Sequence, residues 1–337
     1  MKTFNRRTVI FHFGLALGIL LSCATPRLAA AEPANVPPAG KTVRVLSIGN
    51  SFSRNATRFL DDLAQAGGHK LVHESIVVGG ASLELHANKS MTHERDAAAK
   101  EGLYANGKSL IQMLQSDRWD IVTIQQASIK SHDLSTYQPY ADRLAELIRQ
   151  YAPDAQLMIH QTWAYRVDDP RFARSSPRRS EPATQAEMYN GLSEAYRQVA
   201  DQLDAGILPV GDAFYFADTD DTWGFQVDNA FDFAAAQSPA LPDQTHSLHV
   251  GWRWRAAGDS PRQLAYDGHH ANTAGEYLGA CVWYEVLFGE SVVGNSFVPA
   301  GLDPAYAQFL QQTAHRTATK SNAARKEAAK SAVQVGR

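Results

Sequence analysis

Short apolar runs alternating with amphipathic stretches set the rhythm of this chain. Val43-Arg44-Val45-Leu46-Ser47-Ile48-Gly49 reads as a strand that stops at Gly49. From Ala56 the apolar positions Ala56, Phe59, Leu60 and Leu63 keep a 3.6-residue period, so strand, tight turn and helix are predicted in succession. Gly67-Gly68 ends that helix. A second strand, Leu71 to Val78, runs into Gly79-Gly80-Ala81-Ser82. Residues 83–117, with His86, His93, Glu94 and Arg95, read as polar surface segments. Trp119 to Ile124 is a third strand with Gln125-Gln126 at its carboxyl end. A helix follows on Tyr140, Leu144, Leu147, Ile148 and Tyr151. Gln156 to His160 is the fourth strand, leading into Gln161-Thr162-Trp163. Arg166 to Pro182, rich in proline and arginine, reads as an exposed loop. Met188, Leu192, Ala195, Val199 and Leu203 mark another helix, and Ile207 to Val210 a short fifth strand.

Strands alternating with helices at this spacing predict a mainly parallel five-stranded sheet covered on both faces, an α/β domain. Asp212 to Gln263 breaks the alternation with aromatics and acids, among them Phe214, Trp223, Phe231, Phe233, Trp252 and Trp254. It is long for a loop and carries either function or structure of its own. Its aromatics suit a small satellite core, or a platform for a sugar ring. Asp218, Asp220 and Asp221 lack the glycine and terminal glutamate of a calcium loop and read as a solvated acidic patch. The alternation resumes with a helix from Ala274 to Phe288, and a further helical pattern follows on Tyr306, Phe309 and Leu310.

The two ends differ from this body. Lys2, Arg6 and Arg7 precede an apolar run from Val9 to Leu21 and then Ala29-Ala30-Ala31, the pattern of an export signal over residues 1–31, with 32–41 as a proline-containing linker. The expected location is therefore periplasmic or extracellular. Lipid attachment at Cys23, in Leu20-Leu21-Ser22-Cys23, is the alternative, and no stable membrane span is expected. Residues 1–31 carry four basic residues and no acid, so without them the formal charge moves from −3 to −7. An acidic body argues against a nucleic-acid partner. From about residue 316 the chain is rich in alanine and lysine, offers little to bury, and reads as an unstructured basic tail. Cys281 lies in an apolar helical run and reads as a core residue.

The candidate chemistry lies where strands end. Ser51 follows the first strand and can be a nucleophile whose own N–H faces the developing oxyanion, though Ser51 or Ser53 could simply cap the helix. Far downstream stands Tyr266-Asp267-Gly268-His269-His270. An aspartate three residues before a histidine can hold its Nδ1–H and leave Nε2 free to take a proton from serine. His269 reads as a polar loop residue, Trp163 as a pocket wall and His160 as structural. His246-Ser247-Leu248-His249 is the close histidine pair that a metal hydrolase would need, but no H-E-x-x-H accompanies it, and neither metal nor cofactor is expected.

Gly49-Asn50-Ser51-Phe52-Ser53 with Asp267-Gly268-His269-His270 resembles the SGNH (GDSL-type) hydrolase superfamily, in a secreted bacterial branch with N-S-F in place of D-S-L. The resemblance covers residues 42–290, within a domain expected to span 42–315. It implies a three-layer α/β/α, flavodoxin-like fold and ester hydrolysis through an acyl-serine. By position, Ser51 would be nucleophile, His270 general base and Asp267 its orienting partner. Gly79 or Gly80 would supply the second oxyanion donor. The family's asparagine in G-x-N-D is absent, and Gln125, directly after the third strand, is the expected substitute, with Asn50, Gln126 and Trp163 in the substrate pocket. The expected substrate is a small ester or an acylated carbohydrate. The competing reading is a non-catalytic carbohydrate- or ligand-binding protein on the same fold; the residues do not fix an oligomeric state.

Overall fold

In a computed structural model the chain divides into two units, Met1–Pro38 and Ala39–Arg337. The residues described are 1, 40–173, 181–258 and 260–335, so the export signal and nearly all of the linker lie outside them. In the second unit five parallel strands form one sheet: β1 (Thr42–Gly49), β2 (Lys70–Val77), β3 (Ile121–Ile124), β4 (Gln156–His160) and β5 (Gly206–Leu208), in the order β2-β1-β3-β4-β5. That is the doubly wound order in which ligands sit beyond the strands' carboxyl ends, at the point where the order reverses between β1 and β3. The sheet is parallel throughout. Val45, Leu46, Ile48, Val122 and Ile124 are buried, as strands covered on both faces require.

Helices α1 (Ser51–Ala56), α2 (Leu60–Ala66), α3 (Leu83–Arg95), α4 (Leu110–Leu114), α5 (Tyr140–Tyr151), α6 (Gln185–Gln202), α7 (Val210–Asp218), α8 (Thr273–Phe288) and α9 (Pro304–Val335) complete the unit. The single helix expected after β1 is two, because the chain turns at Thr57–Phe59. The Thr57 hydroxyl bonds back to the Ser53 carbonyl at 2.9 Å, a contact that bends helices. Cys281 is buried in α8. The tail expected to be unstructured instead continues α9 to Val335, since alanine, lysine, arginine and glutamine favour helix. Among the described residues no helix is long and apolar enough to cross a membrane.

The 212–263 segment carries structure of its own. After α7 a loop leads to an antiparallel hairpin of β6 (His249–Ala257) and β7 (Ser260–Ala271). Trp252 lies 4.8 Å from Tyr266 across the hairpin and 4.7 Å from Phe233, a satellite cluster of rings. Two polar readings change. Arg166 is not on an exposed loop but buried, its guanidinium held by both oxygens of Asp168 and by Gln244. Asp218 is not solvated; its carboxyl accepts from Gln185, and burial pushes its pKa up to about 7.

Four histidines are placed where charge is costly. Burial lowers His86, His249 and His73 to about 4 and His160 to about 3. His86, expected on the surface, sits instead under α3's inner face.

Two expectations follow. A Cβ on Gly279 of α8 would lie 2.8 Å from the Ala56 Cα of α1. Gly279→Ala therefore forces these helices apart and costs about 1–3 kcal/mol, read as a lower urea midpoint; an unchanged midpoint would contradict the close approach. The second concerns acid. A histidine whose folded pKa is depressed stabilises the fold above its unfolded value near 6.5, and that stability is lost as pH falls toward 4. Each such group accounts for roughly 3 kcal/mol by then. Asp218 and Glu276, both raised by burial, act oppositely as pH falls, but they are two groups against four. Stability, read by urea unfolding across pH, should thus fall steeply from pH 6.5 to 4; a flat profile would refute the burial argument.

Candidate active site

The turn after β1 is built around Asn50 and Gly49. Asn50 caps α1: its Oδ1 accepts from Phe52 N at 3.0 Å, and its backbone is extended. Ser51 is therefore the first helical residue and not the cap, which leaves its hydroxyl available and its N–H without a partner one turn back. Gly49 is required by close packing. A Cβ there would lie 2.2 Å from Ser53 Oγ and 2.7 Å from the Gln125 amide carbon. The Gly49 carbonyl accepts from Val78 N at 3.1 Å and from His86 Nε2–H at 3.1 Å, while His86 Nδ1 accepts from the Tyr104 hydroxyl at 2.9 Å.

From the rear of the chain comes the second half. Asn272 caps α8 through Ala274 N and Gly275 N, and its Nδ2 donates to the carbonyls of Ser247 and His249, which fixes the end of β7 against the start of β6. Two bonds from the segment after β4 hold the backbone just before: Trp163 Nε1 donates to His269 O at 2.9 Å, and Arg166 N to Gly268 O at 2.8 Å. Helix α8 then crosses α1 at Gly279, and Asn55 donates to Glu276 at 2.8 Å. The outcome is a row of three groups. Ser51 Oγ lies 2.9 Å from His270 Nε2, and His270 Nδ1 lies 3.0 Å from Asp267 Oδ2. The ring of His270 is about one-third exposed and the Asp267 side chain 9%.

Asp267 has a second imidazole. His269 Nδ1 lies 2.9 Å from Asp267 Oδ1, so His269 is a partner of the carboxylate and not a plain loop residue. The backbone N–H of His270 also donates to Oδ1, at 3.1 Å. Burial alone would raise the Asp267 pKa, but these donors outweigh it and hold the carboxyl well below the usual range, so it is ionised at any working pH. Arg253 approaches Oδ2 at 3.4 Å from β6.

The remaining expected residues fall into two groups. Gly79 and Gly80 are exposed on a turn beside the Asn50 cap, with Gly80 in the left-handed region at φ 68°, and a Cβ at either would meet nothing within 4 Å. Asn50 bridges to that turn, its Nδ2 donating to Ala81 O at 2.9 Å. Gln125, Gln126, Asn50 and Trp163, by contrast, are buried. Gln125 does not turn its amide toward the serine hydroxyl. Its Nε2 donates to Asn50 Oδ1 at 2.6 Å, and its Oε1 accepts from Ser53 at 2.5 Å and His160 at 2.8 Å. Gln126 ties down loops through Leu83 N, Ala127 N and Thr136. Trp163 is packed between Phe52 and Phe214, 4.3 Å from each ring, and is fully buried. Each of these polar groups is used up internally, because a strand end buried under loops needs its amides satisfied.

Among the described residues, Asp267, His269 and His270 form a group able to ligate a metal ion. Sequence reasoning had missed His86 and His269. The adjacent pair His269-His270 was a visible signal, but the burial of His86 was not, since its helix is polar overall.

The family described as "Domain of unknown function (DUF4886)" matches residues 44–232, which takes in Ser51 but not the Asp267–His270 segment. A crystal structure of a DUF4886 family protein from Bacteroides uniformis is similar, with 26% identity over 82% of this chain and 94% of that one and a TM-score of 0.60. A proposed SGNH hydrolase from Slackia heliotrinireducens is 20% identical, covering 72% of this chain and 98% of its own (TM-score 0.43). A proposed GDSL-like lipase from Parabacteroides merdae is 12% identical, covering 74% and 97% (TM-score 0.37). At these TM-scores the last two likenesses carry no weight for the chemistry. No curated protein sequence matches the chain. Matched over more than half its length by one family, and similar in fold to a solved member, the chain belongs to the DUF4886 family.

Proposed function

We propose that this protein is a serine esterase of the SGNH type, exported from the cytoplasm, which hydrolyses a small ester or an acylated carbohydrate through an acyl-serine. The observation that carries the reading is the Ser51–His270–Asp267 row, with hydrogen-bond distances at both joints and residues drawn from opposite ends of the chain. In the cycle, His270 Nε2 takes the proton of Ser51 Oγ as the oxygen attacks the ester carbonyl. Asp267 holds the other ring nitrogen protonated and stabilises the imidazolium that forms. His270 then gives the proton to the leaving alkoxide, and water repeats the sequence to release the acid. His269 acts as a positioning residue: by occupying Oδ1 it leaves Oδ2 aimed at His270.

Oxyanion donors would be the N–H of Ser51 and an N–H of Gly79 or Gly80. With Gln125 turned to Asn50, its amide does not serve here, and one missing donor typically costs about 10²–10³ in rate. That withdrawal is also what favours the second reading, a ligand-binding protein on the same fold.

Hydrolysis of p-nitrophenyl acetate separates the two. Slow but saturable turnover is expected, falling by about 10⁴-fold or more in Ser51→Ala and in His270→Ala. Asp267→Asn should cost about 10²–10⁴-fold, and His269→Ala roughly tenfold in kcat with KM little changed. Turnover that persists in Ser51→Ala refutes the triad, and no turnover on any acyl ester favours the binder.

A further inference from the structure

The Asp267 carboxylate carries one imidazole on each oxygen, His269 Nδ1 at 2.9 Å and His270 Nδ1 at 3.0 Å. The three ligating atoms lie within 4.8 Å of one another, and both rings are about one-third exposed, so solvent reaches them. Ligands that share a tetrahedral zinc at about 2.0–2.1 Å sit roughly 3.3 Å apart. The two carboxylate–imidazole spacings are already near that value. We propose that Asp267, His269 and His270 form a binding site for a zinc-class transition-metal ion, and that its occupancy silences His270 as a base. The binding half stands on this geometry alone; the silencing half rests on the serine esterase reading.

The chemistry is a shift of one proton within a ring. A neutral imidazole holds a single proton. In the metal-free site Asp267 keeps that of His270 on Nδ1, so the Nε2 lone pair faces Ser51 Oγ at 2.9 Å. A metal ion on Nδ1 leaves the same proton on Nε2, and no lone pair remains to accept the serine proton. No covalent bond of substrate is made or broken, and nothing is oxidised or reduced. Two imidazole nitrogens and a carboxylate, whose two oxygens each face one ring, suit zinc or copper and not calcium or magnesium, which prefer all-oxygen sets.

Neighbouring charge gives the site a signature of its own. Arg171 comes within 3.3 Å of His269 Nδ1, but both oxygens of Asp169 neutralise it at 2.8 and 2.6 Å. Arg253, 43% exposed, shares the Asp267 carboxylate with the site itself and would repel a dication. At separations of this order near a surface, that repulsion is worth about a tenfold change in affinity.

The test is calorimetric titration of zinc chloride into the full-length Ser51→Ala protein, where turnover plays no part. One ion per chain is expected. Affinity should fall at least tenfold when His269→Ala or Asp267→Asn is added, and rise about tenfold with Arg253→Gln. In the protein with Ser51 intact, hydrolysis of p-nitrophenyl acetate should decline over the same zinc range and return on adding EDTA. Absence of stoichiometric binding overturns the proposal, as does binding indifferent to His269→Ala and Asp267→Asn. Zinc that binds the trio yet raises turnover overturns the silencing. Zinc binding as expected in a protein that shows no turnover even without metal supports the site and refutes the esterase reading instead.

Discussion

The proposed ester chemistry of this molecule depends on a 2.9 Å contact between residues 219 positions apart, Ser51 and His270. A contact of that separation is not maintained by local structure, so it must be enforced by the helices that carry its two ends. Helix α1 begins at Ser51, and α8 begins three residues after His270. The absence of a side chain at Gly279 lets the two backbones approach at Ala56, and Asn55 and Glu276 bond across the same crossing. The sheet sets the height of the serine and the α1–α8 crossing sets the lateral position of the histidine.

Below the hydroxyl lies a buried layer of amides and imidazoles bonded to one another, with His160 Nε2 the member that has no partner among the described residues. Asn50, Gln125, Ser53 and His160 form one chain of hydrogen bonds, and His86 with Tyr104 forms another that ends on Gly49 O. These groups hold the turn without being presented to a substrate. Their cost is a dependence on neutral histidines, because a buried imidazolium has no compensating charge in either chain. Precision at the turn and sensitivity to acid therefore have the same origin.

Much of the architecture is legible in the sequence because the inner strands, buried on both faces, must be largely apolar, as β1, β3 and β4 are; the edge strand β2 carries Lys70, His73, Glu74 and Ser75 and shows only in its β-branched and aliphatic positions. The β6–β7 hairpin was not legible. Arg253, Arg255 and Gln263 alternate with Trp252, Trp254 and Leu264, which on paper resembles a polar loop strewn with aromatics. Asp267 and His270 could be paired from their three-residue spacing, and Ser51 joined to them by the resemblance of the two end motifs, although Asp267 lies inside β7 and not at an element's end. Gln125 could not be assigned correctly, because a one-dimensional pattern places a residue at a strand end but does not say which way its amide turns. In the fold that amide donates to Asn50 Oδ1. His269 was undervalued for a related reason: a carboxylate has two oxygens, and sequence spacing accounted for only one.

The central claim is that Ser51 Oγ is made nucleophilic by His270. A fluorophosphonate probe tests it directly, because it needs an activated serine and no knowledge of the natural substrate. Incubation with the probe followed by peptide mapping should give one adduct per chain, on Ser51, and none in His270→Ala. A protein that stays unlabelled, or carries its label on another residue, would contradict the account.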